Sequence, residues 1–197
     1  KDAGRLVSLR ETTPESNDIY GIARQTFEEW RSQTTAYESF ATHYYWPGIL
    51  TGTDKAPLRF YGWLVSAHFF QTYGVQPLLG RTFRPEEATG GKDHVVVLSH
   101  RLWLSQFEGR RDVIGQSIRI NDQFRTIIGV MPAGFLPKPI TDPVIFAPDS
   151  TLLGPDNSSD RYWKVIGRLK PSVTHAQASK ELDVIATRAW CYGGAAD

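Results

Sequence analysis

Five histidines could do acid–base or metal work: His43, His68, His94, His100 and His175. None has a zinc-type spacing such as H-E-x-x-H, which sets two imidazoles on one helical face. His94 and His100 flank a short apolar run, Val95–Leu98, and point from its two ends rather than converging. A metal centre is therefore not expected, nor is a cofactor. Ser99 follows that run and opens a helical stretch, where a nucleophile elbow could sit. An elbow needs glycines on both sides so that a strained turn exposes the hydroxyl. The context here is Val97-Leu98-Ser99-His100-Arg101, and a helix N-cap accounts for the serine. Gly90-Gly91-Lys92-Asp93 lacks the earlier glycine and the Ser/Thr of a phosphate loop, and Asp93 would repel phosphate. The pairs Glu28-Glu29 and Glu86-Glu87 are adjacent, whereas glycosidase carboxylates face each other across a substrate. Both pairs read as solubilising. No catalytic residue is assigned.

Aromatic side chains are the other candidates. The chain holds six tryptophans and is 12% aromatic. Tyr44-Tyr45-Trp46 and Tyr61-Gly62-Trp63 lie in β-favouring stretches. Alternate strand residues face opposite sides, so about half of this set belongs in a core and the rest could form a contact surface. Tyr44, Tyr45, Trp46, Tyr61 and Trp63 are the candidate interaction surface.

The elements that position these residues follow from periodicity. Strands are expected at Arg5–Arg10, Tyr37–Trp46, Leu58–Val65, Val95–Leu98, Val144–Ala147 and Tyr162–Leu169. Pro47-Gly48 marks a turn. Ser117–Asn121 and Phe124–Val130 form a hairpin around Asn121-Asp122. Helices are expected over Arg24–Ser32, Ser66–Tyr73 and from Ser99 to about Phe107. A last helix follows Pro171, with Thr174 and Gln177 in capping-box spacing and Ala178, Leu182, Ile185, Ala186 and Ala189 on one face. Glu11–Asp18 and Leu152–Asp160 are polar loops, and Met131–Pro143 holds four prolines. Asn157-Ser158-Ser159 matches a glycosylation acceptor and implies only an exposed loop. Helices and strands mix without regular alternation, which favours α+β over a doubly wound sheet.

Composition bounds the function. Lys plus Arg total 22 against 21 for Asp plus Glu, a net charge of +1. Phosphate neutralisation needs a basic excess, so nucleic acid is not an expected partner. The lone cysteine, Cys191, permits no intrachain disulfide. No apolar run approaches the roughly 20 residues that span a bilayer. The chain does not begin with Met and reads as a fragment of something longer.

The middle of the chain carries a resemblance. Val65-Ser66-Ala67-His68-Phe69-Phe70-Gln71-Thr72-Tyr73-Gly74-Val75-Gln76-Pro77-Leu78-Leu79-Gly80-Arg81-Thr82-Phe83 resembles V-S-x-x-F-F-x-x-x-G-V-x-P-x-x-G-R-x-F of the MacB-like periplasmic core domain of ABC-transporter permeases. Val95–Ser99 with Leu102, Trp103 and Phe107 is similar to its next block. Val113–Asn121 and Ile128-Gly129-Val130-Met131-Pro132 complete it. Phe27 and Trp30 fit an upstream helix of the duplicated bacterial permeases of this type.

The resemblance implies a periplasmic domain of a bacterial inner-membrane protein, set between its first two membrane helices. It implies a two-lobed α+β fold. Residues 1–82 together with 140–197 would make a porter-like mixed lobe, and 83–139 a smaller inserted lobe. The permease would act as a homodimer with an ABC ATPase, and often with a periplasmic adaptor. ATP-driven motion would be transmitted through the permease's own membrane helices to export or extract a substrate. No residue here is assignable to an adaptor contact. A stand-alone periplasmic module binding a sugar, peptide or lipid through the exposed aromatics is the alternative, and a hydrolase using Ser99 or a histidine is a third reading.

Overall fold

A computed structural model describes residues 3–10, 21–53, 55–135, 144–150 and 163–193, without the side chains of residues 3 and 187–193. The loop expected at 11–18, most of the proline-rich 131–143 stretch, the acceptor triplet at 157–159 and the side chains of Ala189 and Cys191 lie outside the described residues. The elements in chain order are β1 (Leu6–Leu9), α1 (Arg24–Gln33), β2 (Tyr37–Thr51), β3 (Leu58–Val65), α2 (Phe69–Tyr73), β4 (Leu79–Gly80), β5 (Val95–Leu98), α3 (His100–Phe107), β6 (Ser117–Ile120), β7 (Gln123–Val130), β8 (Val144–Pro148), β9 (Lys164–Leu169) and α4 (His175–Gly193). The chain is α+β, as its pattern predicts. It divides into two compact units, residues 1–42 with 156–197, and residues 43–155.

The first unit draws on both chain ends. β9 lies between β1 and β2. Its antiparallel register with β1 sets Leu6 opposite Arg168 and Leu9 opposite Val165. α1 and α4 supply the apolar stripes. Phe27 and Trp30, three residues apart, are both buried. They share a core with Ile22, Tyr37, Val165, Leu169, Ala178, Leu182 and Ile185. The capping box of α4 forms as expected: Thr174 Oγ1 accepts from Gln177 N–H, and Gln177 Oε1 accepts from Thr174 N–H at 2.9 Å.

The second unit holds a mixed sheet in the order β2-β3-β8-β5-β7-β4, with β6 pairing both β2 and β7. β8 runs parallel to β3 and antiparallel to β5, and every residue of it is buried. A strand covered on both faces needs a continuous apolar run, which Val144-Ile145-Phe146-Ala147 supplies. Asn121 and Asp122 both take positive φ, 46° and 67°, the geometry a two-residue hairpin turn demands. The stretch 83–139 lies within this unit, where its β5 and β7 join the sheet containing β3 and β8.

The turn expected at Pro47-Gly48 is not there: β2 continues to Thr51. Backbone groups alternate sides along a strand. Ile49 N–H points away from β3 and donates to Asn121 Oδ1 at 2.9 Å. Pro47, two residues earlier, is turned to the same side, so its missing N–H removes no bond to β3. Gly48 lies under the Phe60 ring, where a side chain would clash. α2 is shorter than expected at its start, and Gly74 closes it in the left-handed region with φ 67°.

Candidate functional site

The β2–β3 register sorts the candidate aromatics onto two faces. Tyr45 pairs with Trp63, and Pro47 with Tyr61. These four share one face with His43, Ile49, Arg59 and Val65. Tyr44, Trp46, Phe60 and Leu64 lie on the other. Tyr45 and Tyr61 are 52% and 55% exposed, and their rings tilt against each other with centroids 5.5 Å apart. Ile49 continues this exposed stripe at 46%. Arg59 stands opposite Ile49.

Trp63 does not join that surface. It is buried, stacked on His43 with centroids 4.1 Å apart and planes within 7°. Phe69 from α2 meets both rings edge-on. Trp46 is partly buried in the core of the opposite face, with the Arg125 guanidinium 5.2 Å from its ring centroid. Tyr44 is half-buried, and burial followed by the charge of Asp149 raises its phenol pKa. Of the five candidates, the structure brings only Tyr45 and Tyr61 together as an open pair.

The resemblance blocks pack. Phe69 and Phe70 touch Phe146, and Phe70 touches Phe83. Gly80 has φ 68°, and a Cβ on either Gly80 or Gly129 would strike a backbone carbonyl oxygen. Arg81 N–H donates to Ile128 C=O at 2.9 Å. The Arg81 guanidinium holds Glu87 at 2.8 and 2.6 Å, and Glu87 also accepts from Arg84 N–H at 2.9 Å. Glu87 is therefore not solubilising, as its acidic neighbour suggested, but 8% exposed and paired. Burial pushes its carboxyl up, yet the Arg81 and Arg84 hydrogen bonds outweigh that and hold it below the usual range. The signal was present as Arg84-Pro85-Glu86-Glu87: proline at a first helical position with a glutamate two residues on.

The candidate nucleophile Ser99 has a structural use. Ser99 is 2% exposed, and its Oγ accepts from Leu102 N–H and from Val144 N–H, each at 3.3 Å. It caps α3 and ties that helix to β8. Among the described residues no three His, Cys, Asp or Glu side chains are grouped to hold a metal ion. Glu181 on α4 is a carboxylate that no motif singles out. It accepts from Thr34 Oγ1 at 2.6 Å, Thr35 Oγ1 and N–H at 2.8 Å, and Ala36 N–H at 2.9 Å. Burial raises its pKa, but these bonds together hold it low.

A family model described as MacB-like periplasmic core domain matches residues 3–185. The periplasmic region of MacB from Actinobacillus actinomycetemcomitans is similar in structure, with a TM-score of 0.70 and 16% identity, covering 93% of this chain and 83% of that one. The extracellular domain of the noncanonic ABC-type transporter YknZ, from Gram-positive bacteria, has a TM-score of 0.67 and 11% identity, covering 94% and 93%. At these identities the structural likeness speaks for the fold alone. No curated protein matches the chain. No helix among the described residues is long and apolar enough to cross a membrane.

Proposed function

Given that the chain belongs to the MacB-like periplasmic core domain family, and so is the extracytoplasmic domain of an ABC-type permease, we propose that it works mechanically and catalyses no reaction. It carries ATP-driven conformational change from the membrane to a substrate that is exported or extracted. The observation that carries this reading is the use made of the family's own residues. Phe69, Phe70, Gly80, Arg81, Ser99 and Gly129 are spent on packing, close backbone approach, an ion pair and a helix cap. A domain that transmits force needs such internal ties, whereas an enzyme needs free, convergent reactive groups.

The partners in this reading are the permease's own membrane helices, an ABC ATPase, a second copy of the permease and a periplasmic adaptor. Residues 1–82 with 140–197 and residues 83–139 are its proposed lobes. Of the aromatic set Tyr44, Tyr45, Trp46, Tyr61 and Trp63, the exposed Tyr45–Tyr61 pair is the proposed contact point.

The test uses the full-length permease with its ATPase in vesicles. Replacing residues 3–185 by a short linker should abolish transport while ATP hydrolysis continues. Undiminished transport after that replacement would overturn the reading.

A further inference from the structure

Glu181, in the second turn of α4, fills both of its carboxylate oxygens from one place. Oε2 accepts from Thr34 Oγ1 at 2.6 Å and Ala36 N–H at 2.9 Å, and Oε1 accepts from the N–H and the Oγ1 of Thr35, both at 2.8 Å. A carboxylate has about four acceptor positions, and these donors occupy them. All come from three consecutive residues, the segment between the end of α1 and the start of β2. That segment is held a second time: Ala36 C=O accepts from Lys170 N–H at 3.0 Å, just past β9.

The need to satisfy buried donors does not account for this arrangement. Thr35 is exposed, so water could serve its N–H and hydroxyl. What the carboxylate adds is direction. Toward α1 and β2, α4 also presents an apolar stripe, Ala178, Leu182 and Ile185, in a core that includes Tyr37 at the head of β2. Apolar contact is non-directional, and packed helices slide on it by roughly 1–2 Å. Charge-assisted hydrogen bonds weaken as their angles change. Four of them on one carboxylate fix both the height and the rotation of α4 against the start of β2. The Tyr37 phenol is pushed up to about 12, by burial first and then by the Glu181 charge, which places that charge near the first residue of the strand.

We infer that Glu181 locks the register of α4 on β2, so that helix and strand move as one body and a displacement of either reaches the other. The inference rests on the mechanical reading and names a place where movement passes between a helix and the sheet. β2 runs on from this lock to Tyr45 and Ile49, so part of the exposed stripe lies on the strand that is held.

The test is pulsed electron spin resonance on the full-length permease with its ATPase in vesicles, in a background cleared of other cysteines, Cys191→Ser included. Spin labels are carried by Val184→Cys on α4 and Ile49→Cys on β2, both exposed positions. With Glu181 in place, the separation of the labels should not change on adding ATP with vanadate. With Glu181→Ala it should shift or spread by roughly 2 Å, the scale of a helix slide. Thr34→Ala combined with Thr35→Ala leaves the two N–H donors and should fall between. Lys180→Ala, an exposed neighbour on the same helix, should behave as the native chain. Glu181→Gln keeps the volume and loses acceptor positions, so it should reproduce the shift in a chain that folds even if Glu181→Ala does not. A separation that moves with nucleotide in the native permease, or one that stays fixed in both Glu181 variants, would overturn the inference. Neither result alters the outcome of replacing residues 3–185, which tests the mechanical reading by itself.

Discussion

Arg81 and Glu87 face each other as a fork on a fork, Nη1 to Oε2 at 2.8 Å and Nη2 to Oε1 at 2.6 Å. The Glu87 side chain is 11% exposed and that of Arg81 is 37%. Charge-assisted, two-pronged pairs need the planar guanidinium. Glu87→Gln or Arg81→Ala should cost about 2 kcal/mol in urea unfolding. Arg81→Lys should recover less than half of that. Full recovery by lysine would show that charge alone, not the fork, sets the strength.

Glu87 and Glu181 both titrate below the ordinary carboxyl value of 4.5 in the folded protein. A folded pKa below the unfolded one contributes stability that is complete above the unfolded value and lost as pH falls through the folded one. The melting temperature should therefore fall from about pH 5 downward. The double variant Glu87→Gln, Glu181→Gln should melt lower than the native chain at pH 7, and the gap should narrow by pH 3. A gap that stays constant across that range would refute the assignment.

Gly129 and Gly90 should respond oppositely to alanine. A Cβ on Gly129 falls against the Arg81 carbonyl oxygen, while one on Gly90 meets nothing within 4 Å. Gly129→Ala should cost upward of ~3 kcal/mol or abolish soluble expression, and Gly90→Ala should stay within about 0.5 kcal/mol of the native chain. Differential scanning calorimetry separates the two, and equal effects would mean that the β4–β7 approach is looser than described.

Ser99→Ala removes the acceptor for two backbone N–H groups at once, those of Leu102 and Val144. A loss of about 2 kcal/mol is expected, at the upper end for an N-cap. Hydrogen exchange at those two amides should rise together. Faster exchange at Leu102 alone would leave the tie to β8 unsupported.

Trp63 and the tyrosine pair separate core from surface. Trp63→Ala opens a void against His43 and Phe69 and should cost about 3–5 kcal/mol. Tyr45→Ser with Tyr61→Ser removes exposed rings and should cost about 1 kcal/mol. If the double tyrosine change proved as damaging as Trp63→Ala, the pair would be part of the core.

What could be read from residue order was whatever depends on near neighbours. The Asn121-Asp122 hairpin, the Ser99 cap, the Thr174–Gln177 box and the all-apolar β8 each rest on a pattern a few residues long. The miss at Pro47 came from the opposite kind of fact. The strand survives because of which side β3 lies on and because Asn121 reaches across from 72 residues away. Glu181 was invisible for the same reason: its partners are 145 to 147 residues distant. Splitting the aromatics by alternation was sound in principle. Yet the face shared by Tyr45 and Trp63 is open at one end and roofed by Phe69 at the other, and period-two arithmetic has no knowledge of a roof.

β1 is synthesised more than 150 residues ahead of β9, its strand neighbour among the described residues, Leu6 opposite Arg168. Residues 43–155 emerge in between, carrying β3 through β8. Synthesis therefore delivers the central unit whole while the terminal unit still waits for its last strand. During that interval β1 presents a bare backbone edge, the kind of surface that chaperones exist to shield.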